Sequence, residues 1–304
     1  MAGKSKISIY GAIVANILIA ISKFIAVFFT GSSAMLAEGI HSVIDTGNGL
    51  LLLFGIKRSN RVADKNHPFG YGKEIYFWSF VVSILIFSLG GGFAIYEGIH
   101  SLGDPEVIEN PVWNYAVLGA ALLFEGTSLI VATREFRKSN PSGGLVTNII
   151  KSKDPANFAV IIEDSAAVTG LLIALLGIFL SQQLQSPYLD GVASLLIGVL
   201  LLCVAVFLAR ETKGLLLGES AKSDIINAIS SVLDRNKNIK HYAYPKTMHF
   251  GPDKILSVIE IELVEGINLS DAETMVKNVR AEIKRNIKQD IQIFIQINRN
   301  VDKE

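Results

Sequence analysis

Long apolar blocks alternate with short polar breaks over the first two thirds of the chain. A helix that crosses the hydrocarbon core of a bilayer needs about 20 predominantly apolar residues. Blocks of that length lie at residues 7–29, 33–55, 75–99, 112–132, 158–180 and 188–208. The pattern therefore predicts an α-helical membrane protein with six transmembrane helices.

The pattern changes after residue 213, where apolar residues recur at the spacings of soluble elements. Apolar residues repeat with helical periodicity over residues 223–236 and 270–288. They alternate as in strands over residues 239–250, 254–263 and 291–297. The resulting order, α-β-β-α-β, is typical of a small open-faced α+β sandwich.

We therefore predict a transmembrane domain over residues 1–213 and a cytoplasmic α+β domain over residues 214–304. The exposed face or edge of a small sheet needs something to cover it. A second copy of the chain is the simplest cover, so the second domain is predicted to be a dimerisation domain.

Basic residues predict the orientation of the spans. The N-terminus carries Lys4 and Lys6, and only two of the later connections contain lysine or arginine. These residues are Lys57, Arg58, Arg61, Lys65 and Lys73 between the second and third blocks, and Arg134, Arg137, Lys138, Lys151 and Lys153 between the fourth and fifth. Because cytoplasmic loops are enriched in lysine and arginine, both termini are predicted to be cytoplasmic.

Composition agrees with a multi-pass membrane protein. Only 18% of the residues are charged, against about 25% in soluble domains. The formal net charge is zero, which gives no electrostatic argument for binding nucleic acid. The single cysteine, Cys203, lies inside an apolar block, so we expect no disulfide. From the compact length and the lack of a targeting segment we expect a bacterial cytoplasmic membrane.

The second block contains the densest group of polar residues, in the string AEGIHSVIDTGNG. Glu38, His41, Asp45 and Asn48 are three or four residues apart and share one helical face. Ionisable side chains inside a membrane are costly and are functional candidates by default. An imidazole and a carboxylate one turn apart can bind the same divalent cation. The alternative interpretation is a pair of helix-packing hydrogen bonds.

The fifth block carries a second polar group, in the string NFAVIIEDSAAVTG. Asn157 and Asp164 are seven residues apart and share a face, whereas Glu163 points about 100° away from Asp164. Asp164 is therefore the preferred partner for the second block. The small residues that follow it allow another helix to approach closely. Together the two blocks predict a metal site at mid-depth in the membrane.

Other polar residues in the apolar blocks have structural interpretations. Lys23 is predicted to snorkel or to pair with a carboxylate such as Glu125. Asp190 follows Pro187 at the start of the sixth block, where it caps that helix or guards the outer vestibule, with capping preferred. At the membrane edge, we expect a charge contact between Lys73 and Glu219.

These residues lie in strings that resemble the cation diffusion facilitator family over nearly the whole chain. The strings are GSSAMLAEGIHSVIDTGN, NHPFGYGKEIYFWSF, YLDGVASLLIGVLLL and LLLGES. The resemblance implies a homodimeric antiporter of metal ions and protons, most often for zinc, with six spans and a cytoplasmic α+β domain. It also implies a transport site that joins two ligands four apart on the second span to an equivalent pair on the fifth.

Residue by residue, the resemblance assigns His41 and Asp45 to the second-span pair and Asp164 to the fifth-span aspartate. The position four before Asp164 is Val160, which cannot bind metal. Asn157, water, or Glu163, which resembles an "ED" variant in one branch of the family, then completes the ligand sphere. Zinc is the expected cargo, while an oxygen-rich site favours manganese or ferrous iron, and cobalt and cadmium are further candidates. No cofactor is expected, and the expected partners are a second copy, membrane lipid, the metal ion and protons.

The accessory metal sites of the family are incomplete in this sequence. Asp64 and His67 fit an Asp/His pattern in the loop after the second span, but Tyr71 replaces a further histidine. Gln296 and Asn298 replace the histidine and acid expected in a metal-loaded C-terminal domain. His241 and His249 remain; we expect them to be solvated or packed in strands, with weak metal coordination as the alternative. The C-terminal domain is thus predicted to dimerise without a full metal cluster.

An enzyme and a metal sensor or scaffold are the two other classes of function to compare with transport. A metal-dependent intramembrane protease needs a His-Glu-x-x-His helix, and a serine hydrolase of the α/β type needs a Gly-x-Ser-x-Gly turn. The sequence contains neither motif, so we expect a secondary active transporter and no enzyme. A membrane metal sensor or non-transporting scaffold, with the soluble domain as its output, is the alternative.

Overall fold

The structure, a computed structural model, describes residues 2–105, 111–139 and 143–298, and for residues 2–15 and 139 it describes the backbone alone. The chain forms two compact units. The membrane unit comprises Met1–Lys57 and Phe77–Lys213, and the C-terminal unit comprises Arg58–Tyr76 and Gly214–Glu304. The stretch after the second span, predicted as a basic connection between two spans, belongs with the C-terminal residues in the structure.

Long helices make up the membrane unit. They are α1 (Ala2–Thr30), α2 (Ser33–Ser59), α3 (Glu74–Leu85), a π-helical segment (Ile86–Gly91), α4 (Gly92–Gly103), α5 (Val112–Ser139), α6 (Leu145–Ile150), α7 (Pro155–Gln183) and α8 (Tyr188–Leu217). The short α6 lies in the basic connection before α7 and has no counterpart in the sequence prediction.

The multi-span helical architecture is confirmed. Five stretches of the described residues are long and apolar enough to cross a membrane, namely α2, the continuous run from α3 to α4, α5, α7 and α8. The remaining predicted span corresponds to α1, whose described side chains form the apolar segment Asn16–Thr30.

Glycines allow α4 and α8 to approach backbone to backbone. A Cβ atom at Gly98 would lie 2.7 Å from the backbone nitrogen of Leu195, and one at Gly198 would lie 2.8 Å from that of Ile95. Ser194 Oγ donates a hydrogen bond to the Ala94 carbonyl at 3.0 Å. Small residues at such a contact are typical of helix pairs in membranes, because lipid offers no hydrophobic drive for association.

Asp190 caps α2 and not its own helix, contrary to the prediction. Its Oδ1 accepts from Ser32 Oγ at 2.8 Å, and its Oδ2 accepts from the backbone nitrogens of Ser33 at 2.6 Å and Ala34 at 3.3 Å. The free N–H groups at a helix start need such acceptors. Asp190 is 2% exposed, and it ties the beginning of α8 to the beginning of α2.

The C-terminal unit is a sheet covered on one face by two helices. Its elements are α9 (Ser223–Asp234), β1 (Ile239–Tyr242), β2 (Lys246–Gly251), β3 (Lys254–Leu263), α10 (Leu269–Asn286) and β4 (Asp290–Ile297). The central strand β3 pairs parallel with β4 and antiparallel with β1 and β2. Buried residues such as Ile229, Val279, Ile259 and Ile293 form one core between helices and sheet. The predicted open-faced α+β sandwich is confirmed.

The first predicted strand, residues 239–250, is in fact two strands. β1 pairs with the end of β3 and β2 pairs with its beginning. Because β4 pairs with β3 over Lys254–Ile261 on one edge, β1 and β2 lie end to end along the other edge. Pro245 stands in the break, and a proline has no N–H to donate to a ladder.

The connection between α2 and α3 packs on β2 within the C-terminal unit. The rings of Phe69 and Phe250 lie 5.1 Å apart, and a Cβ atom at Gly72 would overlap the Phe250 carbonyl oxygen. Lys73 Nζ donates to the Leu216 carbonyl at 3.3 Å and lies 5.1 Å from the Phe250 ring centroid. The charge contact between Lys73 and Glu219 stays a prediction.

Candidate metal site in the membrane unit

A cavity of about 420 Å³ opens between α2, α5 and α7. Along α2 it extends from Asp45 to Ile56, towards the end of the helix that leads into a basic connection. Apart from its apolar walls, it is lined by the polar residues Asn16, Asp45, Thr46, Glu125, Ser128, Asn157, Glu163 and Asp164. The structure thus brings four of the five predicted site residues to one cavity.

The fifth predicted residue, His41, lies one helical turn deeper than Asp45 on α2. Its Nε2 is 3.4 Å from Asp45 Oδ2, and its side chain is 3% exposed. Neither ring nitrogen has a hydrogen-bond partner in the part of the chain that the structure describes. These contacts do not support the alternative interpretation, in which His41 and Asp45 form helix-packing hydrogen bonds.

On α7, Glu163 and Asp164 both line the cavity. Asp164 Oδ2 accepts a hydrogen bond from Ser128 Oγ of α5 at 2.8 Å. Glu163 is 8% exposed, and its Oε1 has no partner among the described residues. Helical periodicity predicted that Asp164, and not Glu163, faces the second span. In the structure both residues line the cavity, although they are adjacent on α7.

Asn157 lies near the start of α7 and is exposed. Its Nδ2 donates to Asp154 Oδ2 at 2.6 Å, and Asp154 is the N-cap of α7. The amide is therefore held against the helix terminus at the edge of the cavity. Val160, which the resemblance places at the missing ligand position, also lines the cavity and is 37% exposed.

Glu125 of α5 also lines the cavity. From the sequence, Glu125 was predicted only as a possible partner of Lys23. Glu125 is 7% exposed and lines the same cavity as Asp45 and Asp164. Lys23 instead bonds Glu38 Oε2 at 3.0 Å and Ser42 Oγ at 2.7 Å. Lys23 thus pairs with a carboxylate, as predicted, but that carboxylate is Glu38 and not Glu125.

Buried polar atoms without partners concentrate on α2, with a further one on α7. Among the described residues, they include atoms of Glu38, His41, Asp45, Asn48 and Glu163. Leaving a buried polar group unsatisfied costs about 1–3 kcal/mol, and such groups call for a functional explanation. Of these residues, Asp45 and Glu163 line the cavity, and His41 lies beside Asp45. Oxygen and imidazole donors of this kind suit a divalent cation.

The side chains do not yet form a closed ligand cage. In the described part of the chain, no group of three or more His, Cys, Asp or Glu side chains is already arranged to hold a metal ion. Binding one ion therefore requires side chains around the cavity to turn towards a common point.

Sequence comparison decides the family. Residues 9–217 match the model of the cation efflux transmembrane domain. The chain belongs to the cation diffusion facilitator family. This is a family of membrane transporters, which agrees with the spans and with the sequence strings that first suggested it.

Relatives of this cation diffusion facilitator carry metal-transport names. The chain is 34% identical over 264 residues to "Proton-coupled zinc antiporter SLC30A9, mitochondrial" of Xenopus laevis, covering 86% of this chain and 47% of that protein. It is 32% identical over 253 residues to the Homo sapiens protein of the same name, covering 83% and 44%. It is 24% identical over 293 residues to "Manganese efflux system protein MneP" of Bacillus subtilis, covering 94% and 93%. The chain spans about half the length of the SLC30A9 relatives.

The loop residues Asp64, His67 and Tyr71 form an internal network in the C-terminal unit. Asp64 Oδ1 accepts from the backbone nitrogens of Asn66 at 2.9 Å and His67 at 2.8 Å, and Oδ2 accepts from Tyr71 Oη at 2.6 Å. These bonds favour the ionised carboxylate, so they hold the pKa of Asp64 below its usual range, with the tyrosine bond the largest cause. Tyr71 thus gives Asp64 a structural partner where the family pattern has a metal ligand.

We expect Tyr71→Phe to move the pKa of Asp64 back towards its ordinary value, because it removes the strongest of these bonds. A carboxyl group with a lowered folded-state pKa stabilises the fold fully above its unfolded pKa of about 4. That contribution is lost as the pH falls through the lower folded pKa. Carboxyl-carbon NMR of the labelled full chain in micelles would follow the titration. Tyr244→Phe, at a tyrosine 60% exposed, is the matched control and should leave Asp64 unchanged.

The C-terminal histidines behave as packed or solvated residues. His241 is exposed on β1, and His249 is 2% exposed on β2 with Nδ1 3.1 Å from the Gly251 carbonyl oxygen. Gln296 and Asn298 bond each other, with Gln296 Nε2 3.0 Å from Asn298 Oδ1.

Proposed function

We propose that this cation diffusion facilitator carries divalent metal cations out of the cytoplasm in exchange for protons, by alternating access. The observation that supports this most is the cavity lined by Asp45, Glu163 and Asp164. Asp45 and Glu163 each have a buried oxygen without a partner among the described residues, and His41 lies beside Asp45. The printed names of the relatives, which include a proton-coupled zinc antiporter and a manganese efflux protein, point the same way.

Exchange with protons follows from the chemistry of these donors. A carboxylate or an imidazole must be deprotonated to bind a metal ion, so binding releases protons and protonation releases the ion. The cavity lies on the side of the bundle that carries the basic connections, so in this state the ion enters from the predicted cytoplasmic side. When the helices rearrange and the opposite side opens, protonation of the same groups displaces the ion.

Zinc is our first candidate for the transported cation. His41 supplies the nitrogen donor that zinc accepts readily. The remaining donors are carboxylate and amide oxygens, which also suit manganese and other harder ions. Manganese, iron, cobalt and cadmium are therefore the competitors to test.

We further propose that the transporter is a homodimer in a bacterial cytoplasmic membrane, with both termini in the cytoplasm. The sheet face opposite the helices carries apolar side chains, among them Phe294 at 45% exposure. Ile297 is 46% exposed near the end of the edge strand β4, and an exposed apolar edge needs a cover. The alternation of basic connections supports the orientation.

Metal flux in proteoliposomes tests the proposal. The purified chain is reconstituted with a pH dye inside the vesicles and is given zinc, cadmium, cobalt, manganese or ferrous iron. The proposal predicts uptake of at least one metal with opposite proton movement, and the preferred metal names the cargo. If a folded protein transports none of these metals, the proposal is wrong and a metal sensor or scaffold becomes the better account.

A further inference from the structure

We propose that Glu125 of α5 is a ligand of the transported cation and supplies the carboxylate that α7 lacks at Val160. The assignment rests on the proposed transport function and extends it to a third helix. With Glu125 as a ligand, the site offers mostly oxygen donors, a set that also suits harder ions such as manganese.

Glu125 is buried and lines the cavity beside the predicted ligands. Glu125 is 7% exposed. It lines the cavity together with Asp45, Glu163 and Asp164. A charged side chain at such depth is expensive unless it pairs with an opposite charge or serves the transport path. Glu163 gives independent support for a ligand in this space, because it is 8% exposed and its Oε1 lacks a partner in the described structure.

A hydrogen bond joins the Glu125 face of α5 to α7. Ser128 follows Glu125 by three residues and therefore lies on the same helical face. Its Oγ donates to Asp164 Oδ2 at 2.8 Å. Such outer hydrogen bonds orient metal-binding carboxylates. The bond holds the face of α5 that carries Glu125 against the ligand that α7 provides.

Among the described residues of the membrane unit, buried carboxylates outnumber buried cations. Lys23 is the only buried lysine or arginine among the described residues, and it already bonds Glu38. Asp190 is satisfied by the start of α2. Lys23 also acts electrostatically on Asp45 and Glu125. One lysine beside Glu38 cannot, however, balance the four carboxylates that line the cavity, those of Asp45, Glu125, Glu163 and Asp164. A divalent cation supplies two of the missing positive charges.

The test is equilibrium metal binding to the detergent-purified full chain, with radioactive zinc and manganese as probes. We expect Glu125→Gln to weaken binding of the preferred metal by about tenfold or more, at least the loss that follows removal of a supporting group. Glu97→Gln is the matched control, because Glu97 lies on α4 outside the cavity lining; it should bind within about twofold of wild type.

Restoring metal affinity with a second substitution distinguishes the loss of a ligand from a general disturbance of the fold. Val160 lines the same cavity one turn before Asp164, so Val160→Asp in the Glu125→Gln chain should restore most of the lost affinity. If Glu125→Gln does not fold, Glu125→Asp keeps the charge but shortens its reach, and it should still weaken binding several-fold.

The outcomes separate the two proposals. Unchanged binding by a folded Glu125→Gln protein, with wild-type flux intact, overturns the role of Glu125 alone. A tenfold loss without rescue by Val160→Asp overturns the claim that Glu125 replaces the missing fifth-span ligand. A wild-type protein that neither binds nor transports metal overturns the proposed function, and the ligand assignment fails with it.

Discussion

Replacing Asp164 by asparagine is expected to abolish metal transport while the protein remains folded in the membrane. Asparagine has the same size, and its amide oxygen can still accept the hydrogen bond from Ser128 that Asp164 accepts at 2.8 Å. The change therefore removes the negative charge and leaves the packing intact. We expect metal uptake into proteoliposomes to fall about 100-fold or more, since even outer-shell partners of a metal site are worth 10–100-fold.

Asp45→Asn and His41→Ala are expected to have the same effect, because the three residues are assigned to one ion. Asp104→Asn, at an exposed residue directly after α4, is the matched control and should transport normally. Normal proton-coupled uptake by the Asp164→Asn protein would contradict the assignment of the site.

The second large effect is expected at the buried ion pair between Lys23 and Glu38. Their side chains are 1% and 0% exposed, and Lys23 Nζ lies 3.0 Å from Glu38 Oε2. Lys23→Met leaves the Glu38 carboxylate buried without its countercharge. Removing one partner of a buried pair costs about 3–5 kcal/mol, and we expect the free energy of unfolding to fall by that amount.

A second substitution tests whether the loss comes from the uncompensated charge. Replacing the buried pair by neutral groups of similar size is often close to neutral, so Glu38→Gln should restore most of the stability of the Lys23→Met protein. Unfolding in a mild detergent, analysed as a double-mutant cycle, measures the coupling between the two sites. Lys65→Met in the exposed loop is the control, with an expected change within about 0.5 kcal/mol. Strictly additive losses would contradict the account.

Glu38 packs directly against the backbone of α7. A Cβ atom at Gly170 of α7 would overlap Glu38 Oε1, so α7 presents bare backbone to the carboxylate. Lys23 also donates to Ser42 Oγ at 2.7 Å. The pair thus joins α1, α2 and α7 one turn from His41.

The spans and the polar residues of α2 and α7 could be predicted from the sequence because both rest on local information. A block of 20 apolar residues identifies a span without knowledge of its neighbours. Likewise, a spacing of four identifies a shared helical face. The spacing of four selected His41 and Asp45, and the spacing of seven from Asn157 selected Asp164. Four of the five predicted residues line one cavity.

Glu125, Lys23 and Asp190 could not be placed from the sequence because their roles depend on which helices are neighbours. Glu125 has no acidic or imidazole residue one turn away on α5, so no local spacing marks it. Lys23 could reach carboxylates on several helices, and the packing of α1 against α2 selects Glu38. Asp190 sits at a helix start, but the start it caps belongs to α2.

The first strand of the C-terminal unit was predicted as continuous for a similar reason. Alternation over residues 239–250 does not reveal where the ladder along β3 breaks. The break is at Ala243–Pro245 because Pro245 has no N–H to donate, although it still allows β1 and β2 to follow one edge of β3.

The position of the bound metal tests the central claim most directly. Anomalous diffraction, collected from crystals of the full chain grown with the metal that gives the fastest flux, would locate the ion. We predict a peak in the cavity between α2, α5 and α7, about 2.0–2.2 Å from carboxylate oxygens of Asp45 and Asp164. A cavity without a peak, in a transport-competent protein that binds the metal only at the Asp64 loop or in the C-terminal sheet, would contradict the account.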